Sequence, residues 1–126
     1  MGVPQDRKYL ESHEWYFVDG DIVTIGITQF AADQLSDVTY VELPAAGTAL
    51  TAGNIFGEIE SVKATSEMYC AVSGKVVEAN GGLDGQPELV NTDPFGDGWM
   101  VKVEASDLAD VEKLLSAAEY DKKYTE

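Results

Sequence analysis

Short runs of alternating apolar and polar residues, separated by turns that contain glycine or aspartate, fill most of the chain between residues 14 and 104. This two-residue period is typical of β-strands that bury one face. Asp19-Gly20-Asp21 separates two such runs and predicts a β-hairpin. The pattern therefore predicts a mainly β protein. The predicted strands are Glu14–Val18, Ile22–Ile27, Val38–Glu42, Asn54–Ser61, Glu67–Val72, Lys75–Ala79 and Trp99–Glu104.

Two segments have helical spacing instead. Residues 28–36 predict a short helix whose first turn Thr28 can cap. Near the C-terminus, Ser106 and the acidic residues after it predict a helix over residues 107–116 with its apolar side chains on one face. Ser116-Ala117-Ala118-Glu119 matches a capping box and predicts a second short helical turn.

The 126 residues are enough for one core, so we expect residues 1–126 to fold as a single domain. The balance of 8 Lys+Arg against 23 Asp+Glu gives a formal net charge of −15. This charge repels phosphate backbones and anionic lipid surfaces, so neither nucleic acid nor a membrane is an expected partner. Basic patches on other proteins are the expected partners, and self-repulsion favours a monomer.

Cysteine usage and the first residues bear on the compartment. Cys70 is the only cysteine, so an internal disulfide is impossible and a reducing compartment is expected. The opening MGVPQDRKYLESHEW has no apolar targeting core, and no apolar stretch is long enough to span a membrane. We therefore expect a cytoplasmic protein, or a mitochondrial matrix protein if the chain is processed.

The segment GEIESVKATSEMYC alternates up to Lys63 and then begins to alternate again. This pattern predicts a hairpin whose tip lacks the glycine, asparagine or aspartate that usually makes such turns. The most reactive group at that tip is the amine of Lys63, which makes it a candidate attachment point. A lysine amine is almost fully protonated at neutral pH, so a second enzyme would have to modify it. The alternative is an ordinary solvated lysine.

The chain shows no convincing active site. No nucleophile lies near His13 in the sequence, so we expect this histidine to have a packing or surface role. Cys70 alternates with Met68 and Val72 on the expected inner side of a strand, where a thiol acts as a small apolar group. No residue spacing matches a metal site, so no metal is expected.

At Glu60-Ser61-Val62-Lys63-Ala64 the chain resembles a known family, the H-proteins of the glycine cleavage system. The resemblance implies a single hybrid barrel-sandwich domain of two antiparallel sheets with a C-terminal helix, and lipoic acid bound to Lys63 through an amide bond. Biotin carriers have methionine on both sides of their lysine, so lipoyl is preferred to biotinyl. Glu60 and Gly74 match positions that the family uses for recognition by the lipoylating enzyme. The matching segments are SHEW, VTIGITQFA, LSDVTYVELPAAGT, FGEIESVKATSEMY, VSGKVVEAN, PELVNTDPFGDGWMVKV and LLSAAEY.

The family resemblance also implies a non-catalytic shuttle with several partners. A pyridoxal-phosphate-dependent glycine decarboxylase loads an aminomethyl group onto the carrier, a tetrahydrofolate-dependent aminomethyltransferase removes it, and dihydrolipoyl dehydrogenase restores the disulfide. Residues that match Ser12, Glu14 and Glu67 line a pocket that shields the positively charged amine. Glu67 replaces an aspartate common in relatives. Ala71 replaces a common proline, which is expected to loosen the strand after the hairpin.

Two other functions stay open at this point. A lipoyl carrier could donate lipoate to other proteins, or act in a redox response, instead of serving glycine cleavage. A function of another class is an unmodified acidic β-domain that binds basic partners through charge alone. An enzyme that uses His13 or Cys70 has the least support from the sequence.

Overall fold

The computed structural model describes residues 4–124. Strands and short helices alternate along this part of the chain. The strands are β1 (Lys8–Tyr9), β2 (Glu14–Asp19), β3 (Ile22–Ile27), β4 (Val38–Glu42), β5 (Ala49–Leu50), β6 (Ile55–Ser61), β7 (Thr65–Tyr69), β8 (Gly74–Ala79) and β9 (Val101–Ala105). The helices are α1 (Gln29–Leu35), α2 (Gly82–Gly85), α3 (Leu89–Thr92), α4 (Ala109–Glu112) and α5 (Ala117–Tyr124).

These strands form two sheets. The larger sheet has the order β1-β2-β3-β9-β8-β5, and the smaller one has the order β4-β6-β7. Neighbouring strands are antiparallel throughout both sheets as described. Gly20 has a φ of 65° in the β2–β3 turn, a conformation that glycine adopts without a Cβ clash. The predicted mainly β fold with two antiparallel sheets and short helices is confirmed.

The two sheets share one core. Val23 and Ile25 of β3 point into it from the larger sheet, while Ile59 of β6 and Met68 of β7 point into it from the smaller sheet. Burying these side chains removes apolar surface from water, which is the main favourable term in folding. A second cluster of Tyr9, Trp15, Ala117 and Tyr120 covers the opposite face of the larger sheet.

Helix α1 begins where the sequence predicts. The hydroxyl of Thr28 accepts a hydrogen bond from the backbone N–H of Ala31 at 3.3 Å, which caps the first turn. The same hydroxyl lies 2.8 Å from the hydroxyl of Tyr120 on α5. Thr28 is fully buried, so this contact ties the start of α1 to the C-terminal helix.

The predicted helix over residues 107–116 is wrong in its extent, because only Ala109–Glu112 is helical. The backbone of Leu115 exchanges hydrogen bonds of 2.8 and 2.9 Å with Tyr9, which forces Leu115 out of the helical conformation. The capping box is confirmed by hydrogen bonds of 2.9 and 3.2 Å between Ser116 and Glu119. It starts the longer helix α5 rather than a single turn.

Several strand ends differ from the predicted ones. The strand predicted over residues 67–72 is found at Thr65–Tyr69, and the strand predicted from Trp99 begins at Val101. Strand β7 ends at Tyr69. The backbone N–H of the next residue, Cys70, donates to the carbonyl of Asn54 at 2.9 Å, and Asn54 lies just before β6. Within residues 4–124, no helix has the length and apolar character needed to cross a membrane.

Candidate functional site

The turn between β6 and β7 carries Lys63. The backbone N–H of Ser61 donates to the carbonyl of Ala64 at 2.8 Å and closes the turn. The hydroxyl of Ser61 donates to the same carbonyl at 3.0 Å and accepts from the N–H groups of Lys63 and Ala64 at 3.2 and 3.0 Å. One serine hydroxyl therefore stabilises a turn that has no glycine, asparagine or aspartate.

The tip of this turn is fixed and open to solvent. The N–H of Val62 donates to the carbonyl of Asp37 at 3.1 Å, which holds the turn against the segment before β4. The side chain of Lys63 is exposed, and Val62 beside it is 69% exposed. None of the ion pairs between described residues includes Lys63. The amine can therefore be reached by another protein without the loss of an internal contact.

The two residues expected to guide the lipoylating enzyme lie on different sheets. Glu60 is exposed on β6, three residues before Lys63. Gly74 is the first residue of β8 in the larger sheet, where a Cβ would lie 2.2 Å from the carbonyl oxygen of Glu104. Close approach of β9 therefore requires glycine at this position, whatever role the residue has in recognition.

The three residues expected to shield a bound amine do meet. Ser12, Glu14 and Glu67 line one pocket of about 120 Å³, bounded by β2, α1 and β7. Three further polar residues of the same pocket were missed by the sequence analysis. His13 and Ser66 are sequence neighbours of the expected residues. Gln34 lies on α1, and nothing in the sequence around it indicates a place in this pocket. The polar lining residues are Ser12, His13, Glu14, Gln34, Ser66 and Glu67.

Glu14 is a buried carboxyl group, only 1% exposed. One carboxyl oxygen accepts from the backbone N–H of Tyr69 at 2.9 Å, and the other accepts from the hydroxyl of Ser12. Burial raises the pKa of Glu14 to about 7, against the opposing effect of these hydrogen bonds. Glu14 can therefore change its charge near neutral pH at the edge of the pocket.

His13 has an unusual backbone in the same pocket, with a φ of 77°. Its N–H and carbonyl are both bonded, to Leu10 and Thr28 respectively, each at 2.9 Å, which holds this conformation. The imidazole Nδ1 lies 2.8 Å from the hydroxyl of Tyr120, and the ring packs against Phe30. Burial lowers the pKa of His13. These contacts support the expected packing role and connect the pocket to α5.

The segment after the hairpin is bonded to β2 at Ala71, the position expected to loosen it. The hydroxyl of Tyr16 donates to the carbonyl of Tyr69 at 2.9 Å and accepts from the N–H of Ala71 at 3.0 Å. A proline at position 71 has no N–H to donate, so alanine adds a bond here. Cys70 is buried as expected, and burial raises the pKa of its thiol to about 11. In residues 4–124, no group of histidine, cysteine and acidic side chains could hold a metal ion.

Comparison with known proteins places this geometry in a family. The family model described as "Glycine cleavage H-protein" matches residues 7–126. A glycine cleavage system H protein of Symbiobacterium thermophilum is 53% identical over 119 residues, which are 94% of this chain and 93% of that protein. One from Carboxydothermus hydrogenoformans is 52% identical over 120 residues, 95% of this chain and 92% of that protein.

A solved structure agrees with these relatives. The crystal structure of a glycine cleavage system H protein from Mycobacterium marinum superimposes with a TM-score of 0.90 at 36% sequence identity. The match covers 98% of this chain and 100% of that one. The family model, the sequence matches and the fold agree along nearly the whole chain, and the protein therefore belongs to the glycine cleavage H-protein family.

Proposed function

We propose that this protein is the lipoylated carrier of the glycine cleavage system, with lipoic acid joined to Lys63. The observation that carries the proposal is an exposed lysine amine on a rigid turn, in a chain that matches the H-protein family over residues 7–126. The protein itself is not an enzyme in this proposal. It presents a reactive group to enzymes that carry out the chemistry.

The residues around Lys63 fit a lipoyl group. The side chain of Lys63 is exposed, and the turn bonds of Ser61 involve only backbone groups of Lys63 and Ala64, so acylation of the amine leaves these bonds intact. Ala64 beside the lysine is small and exposed, which leaves room for a ligase active site. Glu60 is also exposed, and we propose that the ligase contacts its carboxylate as well as the turn. The role of Gly74 in the same recognition remains a prediction.

When bound, a lipoyl group supplies a sulfur that accepts an aminomethyl group and a disulfide that accepts two electrons. The protein presents this group in turn to a pyridoxal-phosphate-dependent glycine decarboxylase, an aminomethyltransferase and dihydrolipoyl dehydrogenase. Lys63 must therefore reach three different active sites. A turn fixed to the sheet, with the side chain free beyond it, suits this requirement because the sheet sets the position and the long arm supplies the reach.

The pocket next to β7 is proposed to hold the amine of the cargo. Its volume of about 120 Å³ accommodates a small group rather than a whole lipoyl arm. Glu14 and Glu67 supply carboxylates to an ammonium group, and Ser12 supplies a hydroxyl. A nearby cation favours the charged form of Glu14. Binding of the cargo amine therefore promotes loss of the proton from Glu14, and loss of that proton strengthens binding of the amine. Enclosure of the amine protects the cargo from water.

The attachment can be tested by intact mass spectrometry after incubation with a lipoate ligase, lipoate and ATP. We expect a mass increase of one lipoyl group in the natural protein and none in Lys63→Arg. Lys75→Arg is the matched control, because Lys75 is an exposed lysine on β8 and should not affect modification. Modification that persists in Lys63→Arg contradicts the assignment.

Carrier activity is tested separately by glycine-dependent release of carbon dioxide with the purified partner enzymes. The lipoylated protein should support turnover and its Lys63→Arg variant should not. Efficient transfer of lipoate to other proteins without glycine cleavage would favour the relay function instead. Absence of any lipoyl adduct would favour the unmodified acidic domain.

A further inference from the structure

The outer face of the larger sheet contains a cleft away from the turn of Lys63. Phe17 of β2, Thr24 of β3 and Lys102 of β9 lie side by side in register across three strands. The loop before β9 rises beside them and contributes Phe95 and Trp99. The cleft has a volume of about 270 Å³. We call it the aromatic cleft; Arg7 and Trp15 complete its wall.

Two cations border the aromatic cleft in a chain that has 8 Lys+Arg against 23 Asp+Glu. The guanidinium carbon of Arg7 lies 4.7 Å from the ring centre of Trp15 and 5.3 Å from that of Phe17. The amine of Lys102 lies 4.9 Å from the ring centre of Trp99. Attraction between cations and aromatic faces holds both side chains at the cleft. The aromatic cleft therefore brings two of the few cationic side chains of a strongly negative protein together.

The two cations differ in what they can still bind. Arg7 donates to the carbonyl of Phe95 at 3.2 Å and to the carboxylate of Asp6 at 2.9 Å, so it mainly braces the wall. Lys102 forms one ion pair with a described residue, at 4.0 Å from Glu78, which is longer than a hydrogen bond. Its ammonium donors therefore remain available to a ligand.

The floor of the cleft offers a second polar group. The side chain of Thr24 is half-buried between Phe17 and Lys102. Its hydroxyl forms no hydrogen bond with another described side chain or backbone group. A free hydroxyl beside an ammonium group, both next to aromatic rings, can recognise an anionic group attached to a flat ring.

We propose that the aromatic cleft binds a small, flat, aromatic anion. The aromatic ring enters the cleft beside Phe17 and Phe95, against the guanidinium of Arg7 that lies over both rings. The carboxylate or phosphate accepts hydrogen bonds from Lys102 and Thr24. The volume lies just below the range of about 300 to 1,000 Å³ typical of ligand pockets, so it favours one ring system with one anionic group. The net charge of −15 opposes the approach of an anion, and we expect a dissociation constant of about 1 mM.

The two tryptophans of the chain, Trp15 and Trp99, both line the aromatic cleft, so intrinsic fluorescence reports on it directly. The full-length protein is titrated with benzoate and with adenosine 5′-monophosphate as the two anionic probes. Benzamide and adenosine are the matched neutral probes. We expect saturable fluorescence changes with at least one anionic probe and an affinity about three- to tenfold weaker for its neutral partner. Comparison of benzoate with the nucleotide distinguishes a carboxylate from a phosphate.

Two variants test whether the anionic probe binds in the aromatic cleft. Lys102→Gln should weaken binding of the anion by about three- to tenfold while leaving binding of the neutral probe unchanged. Lys75→Gln makes the same charge change on the neighbouring strand β8, outside the cleft, and should have little effect. Circular dichroism checks that both variants fold. The proposal is overturned if no probe gives a saturable change at about 10 mM, or if the two variants weaken binding equally, which would indicate the overall charge alone.

This proposal is independent of lipoylation. The titration is repeated on the lipoylated protein, and the same affinity is expected because Lys63 lies in a turn of the smaller sheet, whereas the cleft lies on the larger one. Loss of lipoylation in Lys63→Arg tests the carrier function and leaves the aromatic cleft intact. The two proposals therefore fail or succeed separately.

Discussion

The carboxyl group of Glu14 on β2 accepts a hydrogen bond of 2.9 Å from the backbone N–H of Tyr69 on β7, and so joins the two sheets beside the pocket. Tyr16, two residues along β2, binds the carbonyl of the same Tyr69. Both backbone polar groups of Tyr69, on the strand that follows the Lys63 turn, are therefore hydrogen-bonded to side chains of β2. The position of the turn and the chemistry of the pocket depend on a shared set of contacts.

Glu14 should give folding a distinct pH dependence. Burial raises its pKa from 4.5 to about 7 in the folded state, so the folded protein binds more protons than the unfolded chain between these values. The free energy of unfolding should therefore fall as pH rises from 4.5 to about 7, by roughly 3 kcal/mol from this group. Chemical denaturation at a series of pH values measures this slope.

Glu14→Gln isolates that slope. The amide can still accept from Tyr69 and donate to Ser12, but it carries no charge. We expect the variant to exceed the natural protein in stability above pH 7 and to approach it below pH 4.5. His13 acts in the opposite direction, because its lowered pKa costs stability as pH falls through 6.5. This effect is common to both proteins, so parallel curves would contradict the role of Glu14.

Ser61→Ala should loosen the Lys63 turn without changing the lysine. The substitution removes a hydroxyl that bonds both N–H groups and the carbonyl at the tip. We expect a loss of about 1 kcal/mol in stability and faster hydrogen exchange at Ala64. Lipoylation should slow, because the ligase must then order the turn itself. Ser61→Thr keeps the hydroxyl and should retain most of the rate.

Gly74→Ala should damage the larger sheet. A Cβ at this position would meet the carbonyl of Glu104 at 2.2 Å, so β8 and β9 would have to separate. We expect a loss of about 2 to 3 kcal/mol, measured by thermal or chemical unfolding. Gly81→Ala is the control, because no atom lies within 4 Å of the added Cβ. If lipoylation of folded Gly74→Ala, well below its melting temperature, is normal, the predicted recognition role of Gly74 is wrong.

Glu67→Gln tests the pocket as a shield for the cargo. Loss of this carboxylate should shorten the time for which the lipoylated protein retains an aminomethyl group, by about three- to tenfold. Glu58→Gln is the matched control, because Glu58 pairs with Glu67 across β6 and β7 but does not line the pocket. The rate of ammonia and formaldehyde release from the loaded protein measures retention. Equal rates in the two variants would indicate a general charge effect.

The sequence predicted most of the strands because an apolar residue at every second position can be buried on only one face. The helix caps at Thr28 and Ser116 were also predictable, because a cap depends on residues close together in the chain. The same local reasoning failed at Leu115. Its helical spacing was overridden by backbone pairing with Tyr9, more than a hundred residues away.

The sequence by itself determined the fold class, the family and the lysine at the hairpin tip. Each of these follows from the alternation of apolar and polar residues or from motifs of residues close together in the chain. Only the tertiary structure decided which groups line the pocket and the aromatic cleft and how deeply they are buried. It buries Glu14 until its pKa approaches 7, brings His13 and Gln34 to the pocket, and places Lys102 beside aromatic rings from distant segments. Burial and charge at these positions come from residues far apart in the chain, and no short stretch of sequence encodes them.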